Sequence, residues 1–381
     1  MKRIAFYAPL KPPDHPIPSG DRQMARMLLA ALGKAGYDAF LASRLISYSK
    51  RHGHEYMEHR KVEAHAEAGR LIDEWNATGN RPDLWFCYHP YDKSPDWLGM
   101  EVCKRLQIPM VTAEPCKTGQ GPNGEWLPWR AEAQKSIRMA EINIVMTNSD
   151  HDYLSGFIAP QHIAWLKPFI DNYLLEPTPL RAELPTDPWQ GHAGCRLLTA
   201  GMMRPGAKLE SYSILAEALH QIAELDWSLV IAGGGPGRNE IEAMMASLGV
   251  RVHFAGECLP GEVLTLMEMA DVLAWPGSRE AYGMVYLEAA TRGTPAVALD
   301  NMGVPLVVEN GRSGLLANPP DAGHYAKALA RIIGDAGLRA RLSSGAREFA
   351  LNERNGDMAA GTLRQILDPL LAKAGQSGGA R

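Results

Sequence analysis

Short apolar runs alternate with segments of helical period along most of this chain, and the alternation occurs twice. Residues 4–8, 83–88, 109–113 and 142–147 read as buried strands. Between the first two, residues 22–32 put Met24, Met27, Leu28, Ala31 and Leu32 on one helical stripe, which Gly33 and Gly36 close. Strands alternating with helices imply a mainly parallel sheet covered on both faces. The pattern stops near residues 169–173, where Pro177, Pro179, Pro185 and Pro188 punctuate a polar stretch that reads as a linker. It restarts at Cys195–Ala200, and strand patterns follow at 228–232, 251–255, 271–275 and 295–299. A chain of 381 residues is also long for a single core. The expectation is an α/β protein with a doubly wound domain over 1–172, a linker over 173–194 and a second doubly wound domain over 195–356. A helical stretch over 357–374 and a disordered, glycine-rich tail over 375–381 complete it.

Composition narrows the partners. A net charge of −4 gives no general reason to expect nucleic acid. Cys87, Cys103, Cys116, Cys195 and Cys258 are scattered and odd in number, which suits a reducing compartment. The opening residues carry an apolar run too short for a signal peptide, and no stretch approaches the ~18 apolar residues of a membrane span. A cytoplasmic protein is expected. Residues 50–54 and 59–61 form a basic cluster, for which a solvated helix face is the favoured reading. An anionic acceptor, or peripheral contact at the inner membrane face, is the alternative.

The residues that carry chemistry sit where strands give way to helices. Residues 278–290 hold Glu280 and Glu288, eight apart, around Gly283. A helix opened by Gly283 would aim the N–H groups of Met284 and Val285 at a phosphate, helped by the helix dipole. After the first strand of the second half come Arg204, whose planar fork can grip phosphate, and Lys208, which adds a point charge. Residues 233–237 read Gly-Gly-Gly-Pro-Gly without the Lys-Ser/Thr of a phosphate loop, so a strand-to-helix turn is the favoured reading. In the first half, Gly20 stands at a helix entry, and His89 and Glu114 stand at strand ends. Fixed cations rather than a metal are expected to neutralise any diphosphate. With two Rossmann-like halves, the ligand belongs at the carboxyl ends of the strands, in the cleft between them.

Together these motifs resemble glycosyltransferase family 4, the retaining group 1 enzymes of the GT-B fold. The resemblance is densest over residues 226–321: the Gly-rich turn, a strand ending in Phe-x-Gly, the Glu280-x7-Glu288 segment, Gly-Thr-Pro-x-Val and Asn-Gly-x-x-Gly-Leu-Leu. It implies a GT-B fold of two Rossmann-like domains facing each other across a cleft, and transfer of a sugar from a nucleotide-diphosphate donor to an acceptor hydroxyl without cofactor or metal. It implies that Glu280 meets the donor sugar, Glu288 the ribose, and Arg204 and Lys208 the diphosphate. Gly20 would approach the diphosphate from the other domain, residues around Gly256 and Glu257 would meet the base through their backbone, and the last helix would cross back onto the first domain. Two departures stand out. Glu114 occupies the strand end where many members carry a histidine, so Glu114 or neighbouring His89 would take that role. The basic loop reads Arg-Pro-Gly-Ala-Lys rather than Gly-Arg-x-x-x-x-Lys. The acceptor would be a sugar, a lipid-linked sugar or a small molecule. The alternatives are a GT-B phosphorylase or epimerase, a hydrolase using the two glutamates, or a non-catalytic nucleotide-sugar-binding protein.

Overall fold

The computed structural model describes residues 1–17, 19–117, 124–171, 187–192 and 194–378. It contains two compact units, Met1–Lys167 with Gly356–Arg381, and Pro168–Asn355. Most of the segment read as a linker, and the last three residues, lie outside the described residues.

The first unit is a parallel sheet of six strands: β1 (Arg3–Tyr7), β2 (Asp38–Leu41), β3 (Leu84–Tyr88), β4 (Met110–Ala113), β5 (Ile142–Val145) and β6 (Ile163–Trp165). Their order across the sheet is β2-β1-β3-β4-β5-β6. The helices between them are α1 (Gly20–Lys34), α2 (His54–Thr78), α3 (Trp97–Leu106), α4 (Leu127–Met139) and α5 (Asn148–Ser155). Strand β3 is buried along its whole length, because both faces of the sheet are covered by helices. Asp96, fully buried at the start of α3, accepts hydrogen bonds from the Trp85 indole (2.8 Å) and from the Gly99 amide (2.6 Å).

The second unit runs β7 (Cys195–Ala200), α6 (Ala207–Gln221), β8 (Trp227–Ala232), α7 (Arg238–Met245), β9 (Val252–Gly256), α8 (Pro260–Met269), β10 (Val272–Ala274) and α9 (Met284–Thr291). It continues through β11 (Ala296–Leu299), β12 (Gly314–Ala317), α10 (Ala322–Gly334) and α11 (Ala336–Glu353). The sheet is again parallel, in the order β12-β11-β10-β7-β8-β9. Three aromatics of its core turn their polar tips to carbonyls: Tyr286 to Trp275 (2.9 Å), Tyr325 to Val297 (3.1 Å) and Trp227 to Ile222 (2.9 Å).

The last helix, α12 (Gly356–Gly378), belongs to the first unit and packs on α1. Tyr37 donates to Asp368 at 2.7 Å, and Lys34 pairs with Asp357 at 2.7 Å. The helix is described through Gly378, and residues 379–381 of the expected tail lie outside the described residues. Ala372, Lys373 and Ala374 are good helix formers and carry the helix on.

Each sheet has one place where the strand order reverses. In the first unit it falls between β1 and β3, and in the second between β7 and β10. Connections leave these neighbouring strands in opposite directions, so a crevice opens above their carboxyl ends, where ligands of open α/β sheets bind. Replacing Asp96 with Ala would orphan a buried indole N–H and remove a helix cap. It should destabilise the protein by about 3 kcal/mol, read as a lower melting temperature, whereas Asp96→Asn should recover part of the loss.

Candidate functional site

In the second unit the reversal of strand order brings two loops together. The loop after β7 carries Arg204, and Lys208 follows in the first turn of α6. The loop after β10 carries Glu280 and ends at Gly283, which caps α9. Both Gly277 (φ +70°) and Gly283 (φ +79°) take the left-handed conformation that favours glycine. A side chain at either would also strike Tyr286. This lets the loop fold down over the ring whose hydroxyl holds the Trp275 carbonyl.

Lys208 and Glu280, 72 residues apart, form an ion pair between Nζ and Oε1, with side-chain exposures of 29% and 17%. The Trp275 indole also donates to Oε1, at 3.4 Å, and Lys208 Nζ lies 5.2 Å from the centre of the Trp275 ring. Lys208, expected at a diphosphate, and Glu280, expected at a sugar, neutralise each other. Arg204 is exposed, and its guanidinium has no partner among the described residues. Gly283 has no side chain to cap the N–H groups of Met284 and Val285, and no side-chain cap is made among the described residues. Glu288 is half-buried in α9, and its carboxylate forms no hydrogen bond or ion pair with another described residue; burial pushes that carboxyl up to about 7.

The remaining donor-side residues line the adjacent strand ends. The Gly233–Gly237 turn links β8 to α7 and lies against the Arg204 loop, with Met203 N–H donating to Gly234 O (2.9 Å) and Gly237 N–H to Met203 O (2.9 Å). A Cβ on Gly233 would run into Gly201 O, so the turn's glycines serve close backbone packing. Gly256 ends β9 and accepts from Gly233 N–H at 2.6 Å, and the exposed Glu257 lies against Gly234.

In the first unit, Gly20 is the exposed first residue of α1, behind a Ser19 cap whose hydroxyl accepts from Arg22 N–H at 3.2 Å. A Cβ there would meet nothing within 4 Å. His89 and Glu114 end β3 and β4 with φ of +60° and +54°. Such backbone costs a non-glycine residue on the order of 1 kcal/mol and concentrates at functional sites. Their side chains adjoin, with His89 Nδ1 3.9 Å from Glu114 Oε2, and His89 Nε2 3.9 Å from the Cys116 thiol. Burial depresses the His89 pKa and so favours the neutral imidazole, against the pull of Asp21.

The basic cluster divides. Lys61 pairs with Glu58 (2.8 Å) and Glu132 (3.2 Å), and Arg60 with Glu63 (2.8 Å), as a solvated helix face would. Lys50 and Arg51 instead line an open cavity of about 840 Å³ with His52, Tyr56 and His59. Sequence reasoning counted no Asp-x-Asp in the chain, yet Asp150-His151-Asp152 is one, a carboxylate spacing seen at metal sites. Asp150 caps α5 with Thr147, at 3.1 Å in both directions, and no group of three or more potential ligands among the described residues could hold an ion. It also passed over Trp275, which reads as the last residue of a core strand.

Residues 207–349 match the family model "Glycosyl transferases group 1". The match lies in the second unit and spans Lys208, Glu280 and Glu288; Arg204 falls just before it. The chain is 36% identical over 132 residues to D-inositol 3-phosphate glycosyltransferase of Corynebacterium jeikeium (strain K411), covering 33% of this chain and 32% of that one. It is 27% identical over 300 residues to the protein of the same name from Streptomyces bingchenggensis (strain BCW-1), covering 71% and 64%. It thus spans less than two thirds of the length of these relatives. Among solved structures, a glycosyltransferase from Rickettsia africae superposes with a TM-score of 0.73 at 14% identity, covering 97% of this chain and 99% of that one. Sucrose-phosphate synthase from Thermosynechococcus elongatus gives 0.70 at 20% identity, covering 98% and 100%. Anabaena HepE in complex with UDP gives 0.68 at 16% identity, covering 97% and 100%. The fold is that of the GT-B glycosyltransferases, with the group 1 pattern in the second unit.

The raised carboxyl of Glu288 makes stability depend on pH. Its folded pKa exceeds its ordinary value of 4.5, so the folded state holds the proton more tightly. Its contribution is complete below about 4.5 and is lost as pH rises to about 7. Glu288→Gln should remove that loss and raise the melting temperature relative to the parent above pH 7. Parallel melting profiles of the two proteins from pH 4 to 8 would contradict the assignment.

Proposed function

We propose that this protein is a retaining group 1 glycosyltransferase that moves a sugar from a nucleoside-diphosphate sugar to an acceptor hydroxyl without a bound metal. The observation that carries this reading is the Lys208–Glu280 pair at the switch point of the second unit, with the unpaired Arg204 and Glu288 on the same strand-end surface, in or directly beside the stretch that matches the group 1 model.

The leaving diphosphate carries two or three negative charges, which must be neutralised as the sugar bond breaks. Arg204, Lys208 and the open N–H groups of Met284 and Val285 are the donors available for this. Once Lys208 turns to phosphate, Glu280 is free to accept from a hydroxyl of the donor sugar. Glu288, ionised when ribose hydroxyls donate to it, holds the nucleoside. Gly256 and Glu257 offer backbone groups to the base, and Gly20 leaves room for phosphate beside α1. In the transfer, the bond from the anomeric carbon to the diphosphate oxygen breaks as the acceptor oxygen bonds to that carbon on the same face. The acceptor proton passes to the departing phosphate. His89 and Glu114 are assigned together to the reacting sugar, a neutral imidazole beside a carboxylate.

HepE is described in complex with UDP and with UDP-glucose, and the curated relatives are named for D-inositol 3-phosphate. Uridine donors and phosphorylated polyol acceptors are therefore the first to try, with sugars and lipid-linked sugars next. No helix among the described residues is long and apolar enough to cross a membrane. The five free cysteines suit work in the cytoplasm, with any membrane contact peripheral.

Glu280→Gln and Lys208→Ala should each lower kcat by about a hundredfold or more with little change in melting temperature. Near-normal turnover in either would remove the site assignment. Transfer should persist in excess EDTA; a strict requirement for added divalent metal would refute neutralisation by protein cations alone. Thermal-shift screening against UDP, GDP and ADP sugars would identify the donor.

A further inference from the structure

Trp275 ends the apolar run of β10 and is fully buried, with Tyr212 packed edge-on at 5.1 Å. Bulk alone would satisfy such a position. Yet its single polar atom finds one acceptor, Glu280 Oε1, the same oxygen that Lys208 holds. The ring lies beneath the Lys208 ammonium at 5.2 Å, within cation–π range. Oε1 thus has two donors, and Oε2 has none among the described residues.

A diphosphate reaching Lys208 competes with Glu280 for the ammonium. With no other donor, its departure would strand a carboxylate whose side chain is only 17% exposed, and a buried charge left unpaired opposes binding. We propose that Trp275 is a positioning residue: its indole N–H keeps hold of Glu280 Oε1 when Lys208 turns to a diphosphate, and its ring guides the ammonium as it moves. Oε2, which has no donor among the described residues, is then the acceptor for a ligand hydroxyl. The inference rests on the donor-site reading above and adds a residue whose part is to make the exchange of partners inexpensive.

Trp275→Phe keeps a ring beneath Lys208 and removes the N–H, and Trp275→Leu removes both. Two measurements test the role. In a proton–nitrogen correlation spectrum of the indole groups, the Trp275 signal, identified by its loss in Trp275→Phe, should shift in Glu280→Ala. A signal that does not move overturns the proposal whatever the enzyme's activity. In calorimetry with UDP as the probe, Trp275→Phe should bind about tenfold more weakly than the parent, from loss of one hydrogen bond to a charged group. Trp275→Leu should be weaker again, with Phe restoring part of the affinity. Parent-like affinity in Trp275→Phe, or equal affinity in the Phe and Leu variants, would remove the role of Trp275 and leave the donor site standing. A parent protein that binds none of UDP, GDP and ADP would instead remove the donor reading and this inference with it.

Discussion

Lys208 and Glu280 neutralise each other at the end of one sheet, and the rest of the second unit is arranged to hold them there. Their loops meet because β7 and β10 are neighbours at the point where the strand order turns back. The Trp275 indole lies under both charges, and Tyr286 pins the carbonyl of that tryptophan. The Gly-rich turn after β8 holds the Arg204 loop by main-chain hydrogen bonds. The result is a polar surface at whose centre the two charges cancel. Preorganised groups of this kind act most strongly where water is scarce.

The first unit offers a different surface. Its strand ends present His89 and Glu114 side by side, each on backbone that non-glycine residues seldom adopt. Burial favours the neutral histidine, which fits a role in hydrogen bonding better than one in binding anions. Lys50 and Arg51 line a cavity with Tyr56 and His59 of the first turns of α2. The docking of α12 on α1 through Tyr37 and Lys34 makes the last residues of the chain part of this unit.

Much of this was legible from residue order, and the gaps have a common cause. The central strands were visible because a parallel strand covered on both faces must be apolar throughout, as β3 and β8 are. The strands that went unnoticed, β2, β6 and β12, all lie at sheet edges. There, short and partly exposed segments such as Asp38–Leu41 carry little periodic signal. The candidate site residues were found because glutamate, arginine and lysine stand out beside glycine turns. Trp275 was missed because a tryptophan ending an apolar run looks like core, which it also is. Asp150 shows the converse: its spacing suits a metal, and a helix cap uses it instead.

Residue order by itself determined that this chain would form two parallel α/β units with polar groups at the strand ends, because local periodicity and turn chemistry decide which segments are strands and which are helices. Only the tertiary structure decided which strand ends are neighbours. Nothing local to residue 208 or residue 280 indicates that their side chains touch. That contact follows from β10 pairing with β7 rather than with β9, a choice made by long-range hydrogen bonding and by the burial of both sheet faces. The mutual neutralisation of the two charges, and the indole beneath them, are consequences of that pairing.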